Sequence, residues 1–258
     1  MNIAFSKYHG TGNDFIILDN RNGEYNGLTI QQVHFLCDRR FGIGADGLMM
    51  LENEAGYDFR MRYFNADGKE GSMCGNGGRC LVQFAKENGI VNDDYHFIAS
   101  DGIHDATILS SGLIKLKMQD VEGVKENNNI KILNTGSPHY IQYVEHLDSM
   151  DVYKEGKTIR YSDAYKAEGI NVNFVERLPN GIRIRTYERG VENETLSCGT
   201  GATASALASA DREGPQITNV KVEGGSLSIS FNKVGKDSFK DIWLIGPATF
   251  VFKGSIEI

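Results

Sequence analysis

Residues 72–79 read SMCGNGGR and residues 196–203 read LSCGTGAT. In both, a cysteine stands directly before Gly-x-Gly and a helix-like run follows. Cys198 lies 124 positions after Cys74 (198 − 74), and Thr135-Gly136-Ser137 lies the same 124 positions after Thr11-Gly12-Asn13 (135 − 11). Each of those triplets opens an apolar, strand-like stretch, DFIILDN or HYIQYVE. Between the paired signals, GIGADGLMML and GINVNFVE occupy similar places, as do RMRYFNADG and RIRTYERG. Two motifs sharing one offset point to an internal repeat. Two long copies are too few for a solenoid. The expected organisation is two halves of similar fold, 1–120 and 121–258.

Local patterns fill in each half. LTIQQVHFLCDRR is predicted as a helix, with Thr29 and Gln32 forming a capping box and Gly42 as its stop. In YDFRMRYFN, Phe59, Met61 and Tyr63 alternate with polar residues, the period of a half-buried strand. Cys80, Leu81, Phe84 and Ala85 share one face of a helix that stops at Gly89. Short strands fill residues 94–118. An Ala-rich helix is expected over 199–213, and strands in KVEGGSLSISF, DIWLIG and PATFVFKG. Many strands and few helices per half favour α+β architecture with mixed sheets over a doubly wound parallel fold.

Composition narrows the function. The chain has 258 residues, 40% hydrophobic and 24% charged, with a net charge of −7. These are values of an ordinary globular protein. The negative charge argues against nucleic acid or an anionic membrane as the main partner, while leaving a pocket for a small molecule. MNIAFSKYHG has neither the basic nor the apolar segment of a secretory signal, and no apolar run is long enough to span a bilayer. The expected location is the cytoplasm. Four cysteines, Cys37, Cys74, Cys80 and Cys198, are too few for a disulfide scaffold at this length.

A cysteine before a glycine-rich helix start can be a metal ligand, part of a phosphate cradle, or a reactive thiolate. Zinc sites favour closely spaced pairs, but Cys74 and Cys80 are six apart and no H-x3-H or H-E-x-x-H is present. No metal is expected. Gly42-x-Gly44-x-x-Gly47 fits a dinucleotide fingerprint only formally, since it follows a helix and precedes a strand. Gly156-Lys157-Thr158 suggests a P-loop, but Asp151 stands where its first glycine belongs. The thiolate reading fits better. Unpaired N–H groups and the positive end of the macrodipole favour thiolate over thiol, and they can also hold a carboxylate. One such site suggests a nucleophile or a base. Two, related by a repeat, suggest two thiols flanking one ligand. Weak acids on opposite faces of a carbon can invert a stereocentre: one takes the Cα proton and the other returns one. The carbanion would delocalise into a carboxylate held by helix N-termini.

The residues resemble diaminopimelate epimerases along nearly the whole chain. The likeness runs through KYHGTGNDFIILDN, FGIGADG, FNADGKEGSMCGNGGRC, GSPH, GINVNF and YERGVENETLSCGTGA. The resemblance implies a cofactor-independent two-base epimerase of LL- and meso-diaminopimelate, serving lysine and cell-wall precursor synthesis. It implies two pseudo-symmetric halves, each a mostly antiparallel sheet wrapped around a central helix, an active site in the cleft between them, and a homodimer. Carried over by motif, Cys74 is the base toward the LL isomer and Cys198 toward the meso isomer. His139 and Glu188 stand near the thiols and help set their protonation. Gly75, Asn76, Gly199 and Thr200 hold the reacting carboxylate. Asn13, Asn65, Asn171, Glu188 and Arg189 hold the substrate's amino and distal carboxylate groups. Gly47 replaces the family's common Gln, and Ser137 its common Asn.

Each residue also has a plainer reading. Cys37 and Cys80 sit on apolar helix faces and suit core packing. Asn13 in TGND and Asn65 in FNADG suit turns. Arg189 suits a surface ion pair, and His139 a strand start. Rival functions are a proline, hydroxyproline or histidine racemase, a thiol redox sensor, or a binding module that exchanges no Cα proton.

Overall fold

The computed structural model describes residues 1–258. The chain forms two compact units, residues 1–116 with 247–258, and residues 117–246.

The first unit begins with β1 (Asn2–Gly10) and β2 (Asn13–Asp19), followed by α1 (Ile30–Cys37), β3 (Gly47–Glu52), β4 (Phe59–Asn65), α2 (Gly75–Glu87), β5 (Asp94–Ala99), β6 (Gly102–Ile108) and β7 (Ile114–Lys117). β1 and β2 pair antiparallel around Thr11 and Gly12, both at positive φ (51° and 87°). That is the two-residue hairpin turn whose twist matches the strands. β2 then pairs parallel with β3, β3 antiparallel with β4, β4 parallel with β5, and β5 antiparallel with β6, which pairs antiparallel with β7.

The second unit holds β8 (Val121–Glu122), β9 (Lys125–Asn127), β10 (Ile130–Asn134), β11 (Pro138–Tyr143), α3 (Val152–Arg160), β12 (Asn171–Leu178), β13 (Gly181–Glu188), β14 (Asn193–Thr195), α4 (Gly199–Ala208), β15 (Gly214–Val222), β16 (Gly225–Lys233) and β17 (Ser238–Gly246). β10 to β13, then β15 to β17, repeat the pairing senses of β1 to β7 in the same order: antiparallel, parallel, antiparallel, parallel, antiparallel, antiparallel. The fold is α+β, built on mixed, mostly antiparallel sheets.

Burial explains the helices. Ile16, Leu18, Leu48 and Met50 pack with Val33, Leu36 and Cys37 of α1. On the other face, a Cβ placed on Gly77 of α2 would lie 3.0 Å from the Met49 sulfur and 3.5 Å from the Phe15 ring. β2 and β3 are therefore covered on both faces, which is why they read as continuous apolar runs rather than alternating ones. α2 is buried almost all round, from Gly75 through Ala85 except Gln83. In the second unit, Tyr140, Val172 and Phe174 pack with Val152 and Ile159 of α3, while Asn173 faces Gly201 of α4. α4 is buried from Gly199 to Ala208 except at Thr200.

Several elements differ from expectation. The capping box at Thr29 and Gln32 is present, but α1 ends at Cys37, where the Asp38 carboxylate accepts the backbone N–H groups of Arg40 and Phe41. α4 stops at Ala208, five residues before the expected end, because β15 begins at Gly214. α3 and β14 carry too few buried positions to announce themselves. The last strand, β18 (Thr249–Glu257), pairs antiparallel with β1 from Asn2↔Glu257 to His9↔Thr249. Residues 247–258 thus belong to the first unit, not to a second half running 121–258. No helix is long and apolar enough to cross a membrane.

Candidate active site

Strand direction gathers the candidate residues within each unit. β2 and β3 start at the same edge and antiparallel β4 ends there, so Asn13, Gly47 and Asn65 share that edge. In the second unit the starts of β11 and β12 and the end of β13 do the same for His139, Asn171 and Glu188. Each cysteine is the extended N-cap of the buried helix behind it, with no side-chain cap hydrogen bond. The Cys74 carbonyl accepts the Gly78 N–H at 2.7 Å and the Cys198 carbonyl the Ala202 N–H at 2.8 Å, which starts each helix. A short polar cap would normally serve the first-turn N–H groups. A thiol in that position leaves the helix N-terminus suited to an anion.

In the first unit the Cys74 thiol donates to Asn13 Oδ1 at 3.6 Å. The Asn13 amide is oriented by charge. Its Nδ2 donates to Asp46 Oδ2 at 2.7 Å, and a carboxylate only accepts, so Oδ1 must face Cys74. Asn76 Nδ2 donates to the same Oδ1 at 3.2 Å, and Asn76 Oδ1 accepts from Arg79 Nη2 at 3.0 Å. A directional chain therefore runs from Arg79 through Asn76 and Asn13 to Asp46. Arg79 is fully buried, and its other bonds go to the carbonyls of Gly75 at 3.1 Å and Pro247 at 3.4 Å. Asp46 is fixed in turn by Arg39, which also binds Asp14 at 2.6 Å, and Asp14 pairs with the buried Lys7 at 2.7 Å. Asn65 heads a tight turn, its carbonyl accepting the Gly68 N–H at 2.9 Å, so the turn reading holds for it. A Cβ on Gly47 would lie 2.5 Å from the Tyr63 ring and 2.6 Å from the Phe64 carbonyl. The tyrosine ring fills the space a side chain at position 47 would need.

In the second unit the Cys198 sulfur lies 3.5 Å from Thr200 Oγ1, and the Thr200 carbonyl accepts from Thr135 Oγ1 at 2.9 Å. Glu188 Oε2 accepts from Thr195 Oγ1 at 2.9 Å. Asn171 is buried and its amide is committed to the fold. It accepts the Arg189 N–H at 2.9 Å and donates to Ser137 Oγ at 2.7 Å and the Pro138 carbonyl at 3.1 Å. Arg189 Nη1 donates to the Glu168 carbonyl at 3.1 Å. His139 is fully buried, with Nδ1 3.1 Å from Asn173 Nδ2. Burial, and then the charge of Arg189, hold its pKa down at about 3. A Cβ on Gly201 would lie 2.4 Å from Asn173 Oδ1 and 3.3 Å from the Cys198 sulfur, so only glycine lets Asn173 reach α4 here.

The other two cysteines behave differently. Cys37 and Cys80 are buried core thiols, and burial pushes both up to about 12. No three His, Cys, Asp or Glu side chains assemble to hold a metal. Sequence reading missed Asp46, Arg79, Asn173 and Thr186. The only signals were a lone arginine in an apolar helix and an alternating N-x-N inside an otherwise buried strand.

The model of the diaminopimelate epimerase family matches residues 5–124 and again 132–251. This chain belongs to the diaminopimelate epimerase family. It is 51% identical to a diaminopimelate epimerase of Flavobacterium psychrophilum over 97% of this chain and 98% of the other. It is 44% identical to one of Chlorobaculum tepidum over 96% and 99%. Among solved structures it is similar to a Bacillus anthracis phenazine biosynthesis protein of the PhzF family, with TM-score 0.80, 16% identity and full coverage of both chains. A hydroxyproline epimerase from Agrobacterium vitis has TM-score 0.68 at 12% identity, covering 99% of this chain and 92% of the other. At those identities the two structures share the fold of the diaminopimelate epimerase family member described here.

Proposed function

We propose that this protein interconverts LL- and meso-diaminopimelate without a cofactor, using Cys74 and Cys198 as its two bases. One observation carries the reading. A chain of this family places a cysteine at the N-cap of the buried helix in each of two repeated units. In the LL to meso direction the Cys74 thiolate takes the Cα proton and becomes a thiol. The electron pair stays on Cα and spreads into the substrate carboxylate. The Cys198 thiol then gives its proton to the opposite face and becomes a thiolate, ready for the reverse reaction. The N–H groups at Gly75 and Asn76, and at Gly199 and Thr200, stabilise the charge that develops on the carboxylate. Asn13 Oδ1 can only accept, so it receives the Cys74 thiol proton in a hydrogen bond after the transfer.

The remaining roles belong to the same proposal. Arg189 binds the distal carboxylate through its planar fork, and Asn65 and Glu188 hold the amino groups. Asn171 supports them by anchoring the Arg189 backbone. The enzyme works as a homodimer in the cytoplasm, without metal. The assay is conversion of LL-diaminopimelate followed by chiral separation, run beside Cys74→Ala, Cys198→Ala and proline as substrate. Wild type should form the meso isomer, and each variant should lose at least about a thousandfold in kcat. Inversion of proline instead would replace the substrate, and full activity in either variant would remove the two-thiol mechanism. Sedimentation equilibrium at the mass of one chain would remove the dimer.

A further inference from the structure

We infer that His139 works as a neutral imidazole carrying its proton on Nε2, locked in that form by Asn173, and that it donates this proton in a hydrogen bond to an anion of the reaction. The lock follows from bonding directions. Asn173 Nδ2 lies 3.2 Å from the Tyr140 carbonyl, which can only accept, so this end of the amide is its NH2 group. Asn173 Oδ1 accepts from Thr186 Oγ1 at 2.9 Å. The second N–H of Nδ2 points at His139 Nδ1, 3.1 Å away. Nδ1 must then accept and carries no proton, so the ring's proton sits on Nε2. An imidazolium would set N–H against N–H inside a buried site, beside the positive Arg189.

The consequence is an anomaly. His139 Nε2 is buried and has no hydrogen-bond partner in the structure. A buried donor left unmatched loses its hydration with nothing in return. The fold does not require it. His139 pairs with Asn171 across β11 and β12 where Phe15 pairs with Gly47 across β2 and β3, and Phe15 is fully buried. An apolar ring serves the equivalent position in the first unit. A histidine kept here against that cost calls for an acceptor that arrives with the reaction. The chemistry that fits is an anionic sulfur or oxygen, either a thiolate or the substrate carboxylate. That identity rests on the proposed epimerisation, whereas the tautomer does not. Asn173 and Thr186 are positioning residues in this reading.

The test is NMR of the full-length protein labelled with 15N-histidine, from pH 6 to 9, with and without diaminopimelate. The expected result is a His139 ring with bare Nδ1 and protonated Nε2 that does not titrate in this range. Its Nε2 proton should move downfield when the anion forms. A shift that needs diaminopimelate identifies the carboxylate. A shift on raising pH, abolished by alkylating the thiols, identifies the thiolate. Protonation at Nδ1, or titration near neutrality, overturns the inference whether or not the protein is an epimerase. Variants give a second readout. His139→Gln keeps an N–H donor and should retain at least about tenfold more kcat than His139→Phe at similar KM. Equal kcat in the two variants would overturn the donor role even if the tautomer held.

Discussion

Asn13 and Asn173 show how much a single amide can decide. Each is an ambivalent group made directional by neighbours that can only donate or only accept. Asp46 turns Asn13 Oδ1 toward Cys74, and the Tyr140 carbonyl turns Asn173 Nδ2 toward His139. Asp46→Asn removes that constraint and lets the Asn13 amide reverse. The expected outcome is a drop of about tenfold in kcat/KM, read from steady-state kinetics, with Arg39→Met as the control that keeps the Asp46 acceptor. Arg79→Met keeps volume but strands three acceptors, two of them buried on Gly75 and Asn76 and one half-buried on Pro247. Urea unfolding should show a loss of about 3 kcal/mol. The cysteine pair was legible in the sequence because it occurs twice at one offset. Arg79 was not, since a lone arginine in a helix ordinarily faces water, and only the closed fold shows it buried beneath the thiol-bearing turn.

The β1–β2 hairpin and the helix starts bring those residues into place. Thr11 and Gly12 fix the hairpin, and Asp14, three residues beyond Thr11, ties it to Lys7 and Arg39. Burial alone would raise the Asp14 carboxyl, but hydrogen bonds from Arg39 and Lys7 and their charges bring it from 3.8 to about 2. A depressed carboxylate stabilises the fold fully above its unfolded pKa and loses that contribution as pH falls toward the folded value. Asp14→Asn should therefore cost about 2 kcal/mol at pH 7. Denaturant titrations should show the gap narrowing below about pH 4 and closing toward pH 2. At the start of α4, Gly201→Ala puts a methyl into Asn173. It should cost about 1–3 kcal/mol in unfolding free energy and lower kcat as Asn173 shifts. The α1 capping box was readable because its signal is local. α3 was not, because it buries little beyond Val152 and a glycine packed on Tyr187.

At the scale of the whole molecule, one pairing pattern is used twice and its contents are then varied. Where the first unit has Phe15, Gly47 and Met49, the second has His139, Asn171 and Asn173 at matching register positions. The repeat was visible in the sequence, but the placement of residues 247–258 was not. Pairing Asn2 with Glu257 joins the two ends of the chain, and no local pattern reports a contact of that span. Removing 247–258 should expose β1 and deprive Arg79 of the Pro247 carbonyl. Calorimetry should show Tm lower by about 10 °C, with hydrogen-exchange protection lost first in β1. The proposed epimerisation needs two thiols acting on opposite faces of one carbon. The most direct test is a brief incubation of LL-diaminopimelate with the enzyme in D2O, stopped at a few per cent conversion and read by proton NMR and mass. Two bases predict meso product carrying solvent deuterium at the inverted Cα while the remaining LL substrate keeps its proton. Product that keeps the substrate's own proton, or substrate that exchanges without inverting, would contradict it.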